Sequence, residues 1–86
     1  MNKKLFIGGV NYKTSDSTLQ EEFSKAGEVV SAVIIKDRMT GRSKGFGFVE
    51  MATEEGAQAA IEMFNGKELD GRTIAVNEAR PQPERN

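Results

Sequence analysis

Lys44-Gly45-Phe46-Gly47-Phe48-Val49-Glu50-Met51 is the stretch of this 86-residue chain whose residue types and spacing point to chemistry. Side chains on a strand alternate between its two faces. One face of this stretch carries Lys44, Phe46, Phe48 and Glu50; the other carries Gly45, Gly47, Val49 and Met51. A thin core does not accept charges without partners. The charged face is therefore the solvent face, and both phenylalanines lie on it. Lys4 to Gly9 repeats the pattern, with Leu5 and Ile7 inward and Lys4 and Phe6 outward. Three outward phenylalanines are unfavourable unless something covers them. Flat rings flanked by Lys4, Lys44 and Arg42 suit stacked bases with phosphates nearby. The competing reading places these rings in the core, or beneath the C-terminal segment. The charges at both ends of the stripe argue against it.

Such a stripe needs a sheet to carry it and something to cover the sheet's other face. Lys4 to Gly9 reads as a first strand ending in glycines. Thr14-Ser15-Asp16 offers capping side chains, Leu19, Phe23 and Ala26 share one helical face, and Gly27 is the expected stop. Val30 to Lys36 is β-branched and reads as a second strand. Asp37 to Ser43 is a loop carrying Arg38 and Arg42, and Lys44 to Met51 is the third strand. Thr53 caps a second helix whose inner face is Ala57, Ala60, Ile61 and Phe64, ended by Asn65-Gly66. Asp70-Gly71 is a turn, and Arg72 to Asn77 is a last strand with Ile74 and Val76 inward. The order β-α-β-β-α-β predicts an α+β, ferredoxin-like sandwich: a four-stranded antiparallel sheet with two helices on one face. Residues 1–80 are expected to form one domain, and 81–86, with Pro81 and Pro83, a short disordered tail.

Composition narrows the chemistry further. The chain has no cysteine and no histidine. That excludes disulfide scaffolds, thiolate zinc sites, cysteine nucleophiles and every histidine-dependent triad. A secreted chain this small would ordinarily use disulfides, so a cytoplasmic setting is expected. The longest near-apolar run, Val29 to Ile35, falls far short of a membrane span. Net charge is −1, yet it is unevenly spread. Basic blocks (Lys3, Lys4 and Lys13; Lys36 to Lys44) alternate with acidic ones (Asp16 to Glu28; Glu54 to Glu68). With the acidic blocks as helices on one side, the other side is basic.

The sequence resembles the RNA recognition motif family. Lys44 to Met51 looks like its octapeptide, basic-Gly-aromatic-Gly/Ala-aromatic-Val-x-aromatic. Leu5-Phe6-Ile7-Gly8-Gly9-Val10 looks like its hexapeptide, and Leu19-x3-Phe23-x3-Gly27, Ala57-x2-Ala60-Ile61 and Asn65-Gly66 match its helices. Two departures stand out. Met51 replaces the final aromatic but faces the core by parity, so it bears on packing rather than binding. Gly9-Val10 stands where Asn-Leu is common and bears on the turn after the first strand. The chain is similar to small single-domain RNA-binding proteins of bacteria and cyanobacteria, with relatives in plant organelles.

The resemblance implies a non-enzyme that binds single-stranded RNA as a monomer, with no cofactor and no membrane. It implies stacking by Phe6, Phe46 and Phe48 and a phosphate contact from Lys44. Val33 and Ile35 would share that face, although alternation in their strand is ambiguous. Asn77, Ala79 and Arg80 fall where the family often contacts bases through the end of the last strand, or else Asn77 and Arg80 form a solvated strand end. Arg38 and Arg42 would track phosphate, or else solvate a loop. Apart from the resemblance, Tyr12 after the first strand is a candidate extra stacking group, or else packs on loop or helix. Single-stranded DNA and a peptide docked on the same face are the alternative ligands.

Other chemistry finds little footing. Gly45-Phe46-Gly47 lacks a third glycine at dinucleotide spacing and sits within a strand. Gly41 to Gly45 lacks Walker order. Glu21/Glu22 and Glu54/Glu55 are adjacent pairs that point apart on a helix. Gly8 to Lys13 does not match an acylphosphatase phosphate loop, and paired metallochaperone cysteines are absent.

Overall fold

A computed structural model describes residues 3–79. Its elements in chain order are β1 (Lys4–Gly8), α1 (Asp16–Phe23), β2 (Val29–Lys36), β3 (Ser43–Met51), α2 (Glu54–Phe64), β4 (Glu68–Leu69), β5 (Arg72–Thr73) and β6 (Ala75–Glu78). The main sheet runs β2-β3-β1-β6, and every neighbouring pair is antiparallel. Both helices pack on one face, α1 against β2 and β3, α2 against β6, β3 and β1. This is the expected sandwich, with the opposite face left without a helix.

The core follows the alternation. Leu5, Ile7, Val49, Met51, Ile74 and Val76 point inward and meet Leu19 and Phe23 of α1 and Ala57 and Ala60 of α2, all buried. Phe64 stacks on Phe23 with centroids 4.5 Å apart and stays half-buried at the edge. Met51 is fully buried, so the unusual end of the octapeptide is a packing residue.

Local chemistry fixes the helix starts. Ser15 caps α1 by accepting from the Thr18 N–H, and Thr53 caps α2 by accepting from the Gly56 N–H. Asp16, in the first turn of α1, accepts the Ile34 N–H at 2.7 Å and so holds the helix to β2, which is also an edge strand. Glu54 and Glu55 sit at the positive end of α2.

Three expectations need correction. Helix α1 ends at Phe23, before Gly27. Its last turn tightens, with Lys25 N–H donating to the Glu22 carbonyl and Ala26 N–H to the Phe23 carbonyl, while the Ser24 hydroxyl donates to the Glu21 carbonyl. Gly27 serves a different purpose, because an added Cβ would lie 3.1 Å from Gly56 Cα, where α2 begins. The last strand is also broken. The Ile74 backbone pairs with Gly66 and Lys67, which separates β5 from β6, and β4 and β5 form a small hairpin. The Asp70-Gly71 turn closes that hairpin with φ of 53° and 84°, the pattern of a tight two-residue hairpin turn.

Thirdly, β3 does not alternate strictly from Lys44. Gly45 has φ of 87°, and the β2–β3 register shifts between Ile34 and Lys36. Parity from Phe46 therefore does not carry across Gly45, so Lys44 is exposed without its face being set by alternation. A Cβ on Gly47 would collide with the Val33 carbonyl oxygen of β2, so the close approach there is between strands.

Phe23→Ala is expected to destabilise the fold by about 3–5 kcal/mol. Gly47→Ala, which forces β2 and β3 apart, should destabilise it by roughly 1–3 kcal/mol. Chemical denaturation read by circular dichroism measures both.

Candidate functional site

The face opposite the helices is built around one crosswise row. Val33 of β2 pairs with Phe48 of β3, Phe48 with Phe6 of β1, and Phe6 with Asn77 of β6. Residues directly opposite in a sheet share a face, and strands lie about 4.8 Å apart. One line of side chains thus crosses all four strands. The next row along β1 and β3 is Gly8 opposite Phe46, with Ala75 beyond.

The three rings form a continuous cluster. Phe6 lies 5.6 Å from both Phe46 and Phe48, and Phe46 lies 6.3 Å from Phe48, centroid to centroid. Phe6 and Phe48 meet edge to face, as do Phe46 and Phe48. Phe6 leans over Gly8, where a Cβ would sit 3.3 Å from its ring. Each ring is half-buried. The sequence implies fully outward phenylalanines; the rings instead cover one another, which lessens the exposed apolar area while leaving part of each ring open.

Charge surrounds the cluster unevenly. The Lys4 ammonium stands over the Phe48 ring, 5.1 Å from its centroid. Lys4 faces Glu50 across β1 and β3, so that end of the platform carries both signs. At the other end Arg42 lines a groove with Tyr12, Lys13 and Lys36. The Asp37–Arg42 loop is a compact turn: the Asp37 carboxylate accepts the Met39 and Thr40 N–H groups, and Asp37 and Arg42 pair through their backbones. Arg38 is exposed on this loop without lining the groove.

The site residues sort as follows. Phe6, Phe46, Phe48, Val33 and Asn77 come together on one face. Val33 is 43 % exposed. Ile35, two residues further along β2, is half-buried while Ile34 between them is in the core, which resolves the ambiguous alternation. Lys4 joins the cluster at one end and Arg42 approaches the other. Arg80 lies outside the described residues, as does the tail 81–86. Lys36 and Lys13 were not singled out as contacts from the sequence. They lie at the end of β2 and in the loop after β1, where strand periodicity carries no information about facing. Among the described residues no group of acidic side chains could hold a metal ion, and no helix is long and apolar enough to cross a membrane.

Comparison with known proteins fits this geometry. The family model described as RNA recognition motif matches residues 5–75. A glycine-rich RNA-binding protein of Hordeum vulgare, blt801, is 53 % identical over 77 residues, covering 90 % of this chain and 48 % of that protein. The chain spans about half the length of the curated relatives it matches. Among solved structures, RNA binding protein PG1 is 42 % identical with a TM-score of 0.88, covering 96 % of this chain and all of that one. A Sex-lethal protein–RNA complex is 30 % identical with a TM-score of 0.91, covering 98 % of this chain and 50 % of that one. These curated relatives are plant proteins, some named as mitochondrial or chloroplastic, so they lend no support to the bacterial and cytoplasmic expectations. With the motif matched over most of its length and its aromatic face in place, the chain belongs to the RNA recognition motif family.

Proposed function

We propose that this protein binds single-stranded RNA by stacking bases on Phe6, Phe46 and Phe48, with no chemical step. The observation that carries the proposal is the crosswise row Val33–Phe48–Phe6–Asn77 on the face without helices. Half-open rings at this spacing accept two or three bases, and stacking tolerates any base because each has a π-face. Val33 and Ile35 extend the apolar surface towards β2. Asn77 supplies an amide that donates to and accepts from base edges. Lys4, Lys44, Arg42 and Arg38 are the proposed phosphate partners, and Arg80 is a further proposed contact. The protein acts as a monomer, and a cytoplasmic location rests on its lack of cysteine alone.

The RNA in the Sex-lethal complex and the RNA-binding names of the relatives support this ligand over a peptide or single-stranded DNA. Duplexes suit the platform poorly, because their bases are already stacked on one another. A titration of matched single-stranded and fully paired RNA at fixed salt should show clear preference for the single strand. Equal or tighter duplex binding would remove the stacking mechanism.

Phe46→Ala and Phe48→Ala should each weaken RNA binding by about 1–3 kcal/mol. Both should destabilise the fold less than Phe23→Ala, because their rings are only half-buried. Paired melts and titrations separate the two effects. A Phe46→Ala protein that melts like Phe23→Ala would overturn the face assignment.

Of the proposed phosphate partners, Lys44, Lys4 and Arg42 are the chief contacts, and two or three phosphates held at once give a slope of log affinity against log salt of about −1.4 to −2. Lys44→Ala should flatten that slope by about 0.7 and lower affinity alike for all sequences. A slope of zero would favour the peptide ligand.

A further inference from the structure

Asn65 and Gly66, the dipeptide that ends α2, carry a chemistry that needs no reagent but water. A main-chain nitrogen can attack the side-chain amide carbon of the asparagine before it. Glycine hinders that attack least, because it has no Cβ. No other asparagine of the chain precedes a glycine. Both residues are exposed, and nothing stands within 4 Å of where a Cβ on Gly66 would lie.

The fold holds the two reacting groups apart. The Gly66 N–H donates to the Ile74 carbonyl at 2.8 Å, so the attacking nitrogen is engaged with the segment after the β4–β5 hairpin. The Asn65 side-chain oxygen accepts the Val76 N–H at 3.0 Å, which holds the amide against β6. Ring closure also requires the Gly66 nitrogen to swing beneath the Asn65 Cβ. In an L-residue that means a negative ψ, and Asn65 has ψ of 122°. The same contacts finish the sheet. Strand β6 is an edge, and Asn65 covers its Val76 N–H just as Asp16 covers the Ile34 N–H of the other edge, β2. Asn77, the next residue of β6, belongs to the row that crosses the ring face.

We propose that Asn65-Gly66 is a site of self-modification, held off by these hydrogen bonds and released when the β4–β5 hairpin and β6 open. In the open chain the Gly66 nitrogen loses its proton and bonds to the Asn65 side-chain carbon. The amide C–N bond breaks, and its nitrogen leaves with that proton as ammonia. Water then opens the resulting five-membered imide. Addition at the side-chain carbonyl gives aspartate; addition at the main-chain carbonyl gives isoaspartate, whose chain runs through the former side chain. The aspartate product keeps an oxygen where Val76 N–H needs one. The isoaspartate product adds a methylene to the main chain and leaves a carboxylate directly on Cα. Val76 N–H then loses its acceptor, and Gly66 loses its register with Ile74. Modification thereby loosens the strand that bears Asn77.

The experiment incubates the full chain in mildly alkaline buffer, native or unfolded in urea, and locates the products by proteolysis and mass spectrometry. The unfolded chain should convert Asn65 roughly 10-fold or more faster than the native protein, because the native reaction waits on local opening. Ile74→Val, which loosens the packing behind the hairpin, should speed native conversion and hydrogen exchange at the Gly66 amide together. Equal rates in native and unfolded chains overturn the inference, as does native conversion unmoved by Ile74→Val while Gly66 exchange quickens. Asn65→Asp should keep the Val76 amide slow to exchange, and Asn65→Ala should expose it. The isoaspartate product, isolated by ion exchange, should behave like Asn65→Ala. A Val76 amide as protected in Asn65→Ala as in the wild type overturns the link to β6. Isomerisation at Asp70-Gly71 is told apart, because it releases no ammonia and changes no mass.

Discussion

The antiparallel pairing of β1 with β3 sets Leu5 opposite Val49 and Phe6 opposite Phe48, and the rest of the molecule is arranged around that register. The first pair points under the helices and the second away from them. A one-residue slip of β1 would bury Phe6 and turn Leu5 and Ile7 to water, and a slip of β3 would do the same to Phe46 and Phe48 and to Val49 and Met51. The energy that holds the core and the geometry that presents the rings therefore come from one alignment. Gly47 lets β2 draw close enough to extend the row, because any Cβ there would meet the Val33 carbonyl. Asp16 then ties the outer strand back to α1 through the Ile34 amide. The site inherits its rigidity from these contacts.

A platform for stacking has conflicting requirements. Its rings must be open to a ligand, yet open rings favour aggregation in the ligand's absence. Tilting resolves part of this. Phe6 turns 33° from Phe46 and 64° from Phe48, and Phe46 stands 89° from Phe48. Edge-to-face contact suits the ring quadrupoles, so each phenylalanine is stabilised by its neighbours while part of it stays accessible. The space over Gly8 makes the lean of Phe6 possible. Lys4 above Phe48 adds a favourable contact that brings a cation to the place where a phosphate would lie.

What the sequence discloses is what local chemistry decides. Ser15 and Thr53 announce their helices by their side-chain oxygens, and Asp70-Gly71 announces its turn by its backbone preferences. The outward placement of Phe6, Phe46 and Phe48 follows from period-two alternation that puts Lys4 on the face of Phe6 and Glu50 on the face of Phe46 and Phe48. Features set by distant partners stay hidden. Gly27 looks like a helix stop until Gly56 is seen against it. The break at Ile74 depends on Gly66 and Lys67, which lie on the far side of a hairpin. Strand β2 is apolar on both faces and irregular where Val30 falls between register positions, so its facing residues emerge only from pairing with β3. The row from Val33 to Asn77 joins four separate segments, and no window along one strand contains it.

The charge distribution gives a nearly neutral chain two unlike faces. Net charge is −1, so no long-range field draws a polyanion to the molecule as a whole. Glu21, Glu54, Glu55 and Glu62 lie exposed on the helices, in the layer opposite the rings. Lys4 stands at the ring face, while Lys13, Lys36 and Arg42 gather at one end of it. On the proposed RNA reading, the helical layer would repel a phosphate backbone and the rim of the sheet would attract it. Complementarity of this kind governs orientation and encounter more than final affinity. On that reading, base stacking rather than charge would supply most of the binding energy. The flat aromatic surface, held by the β1–β3 register, would then be both the strongest contact and the one the surrounding charges steer a strand towards.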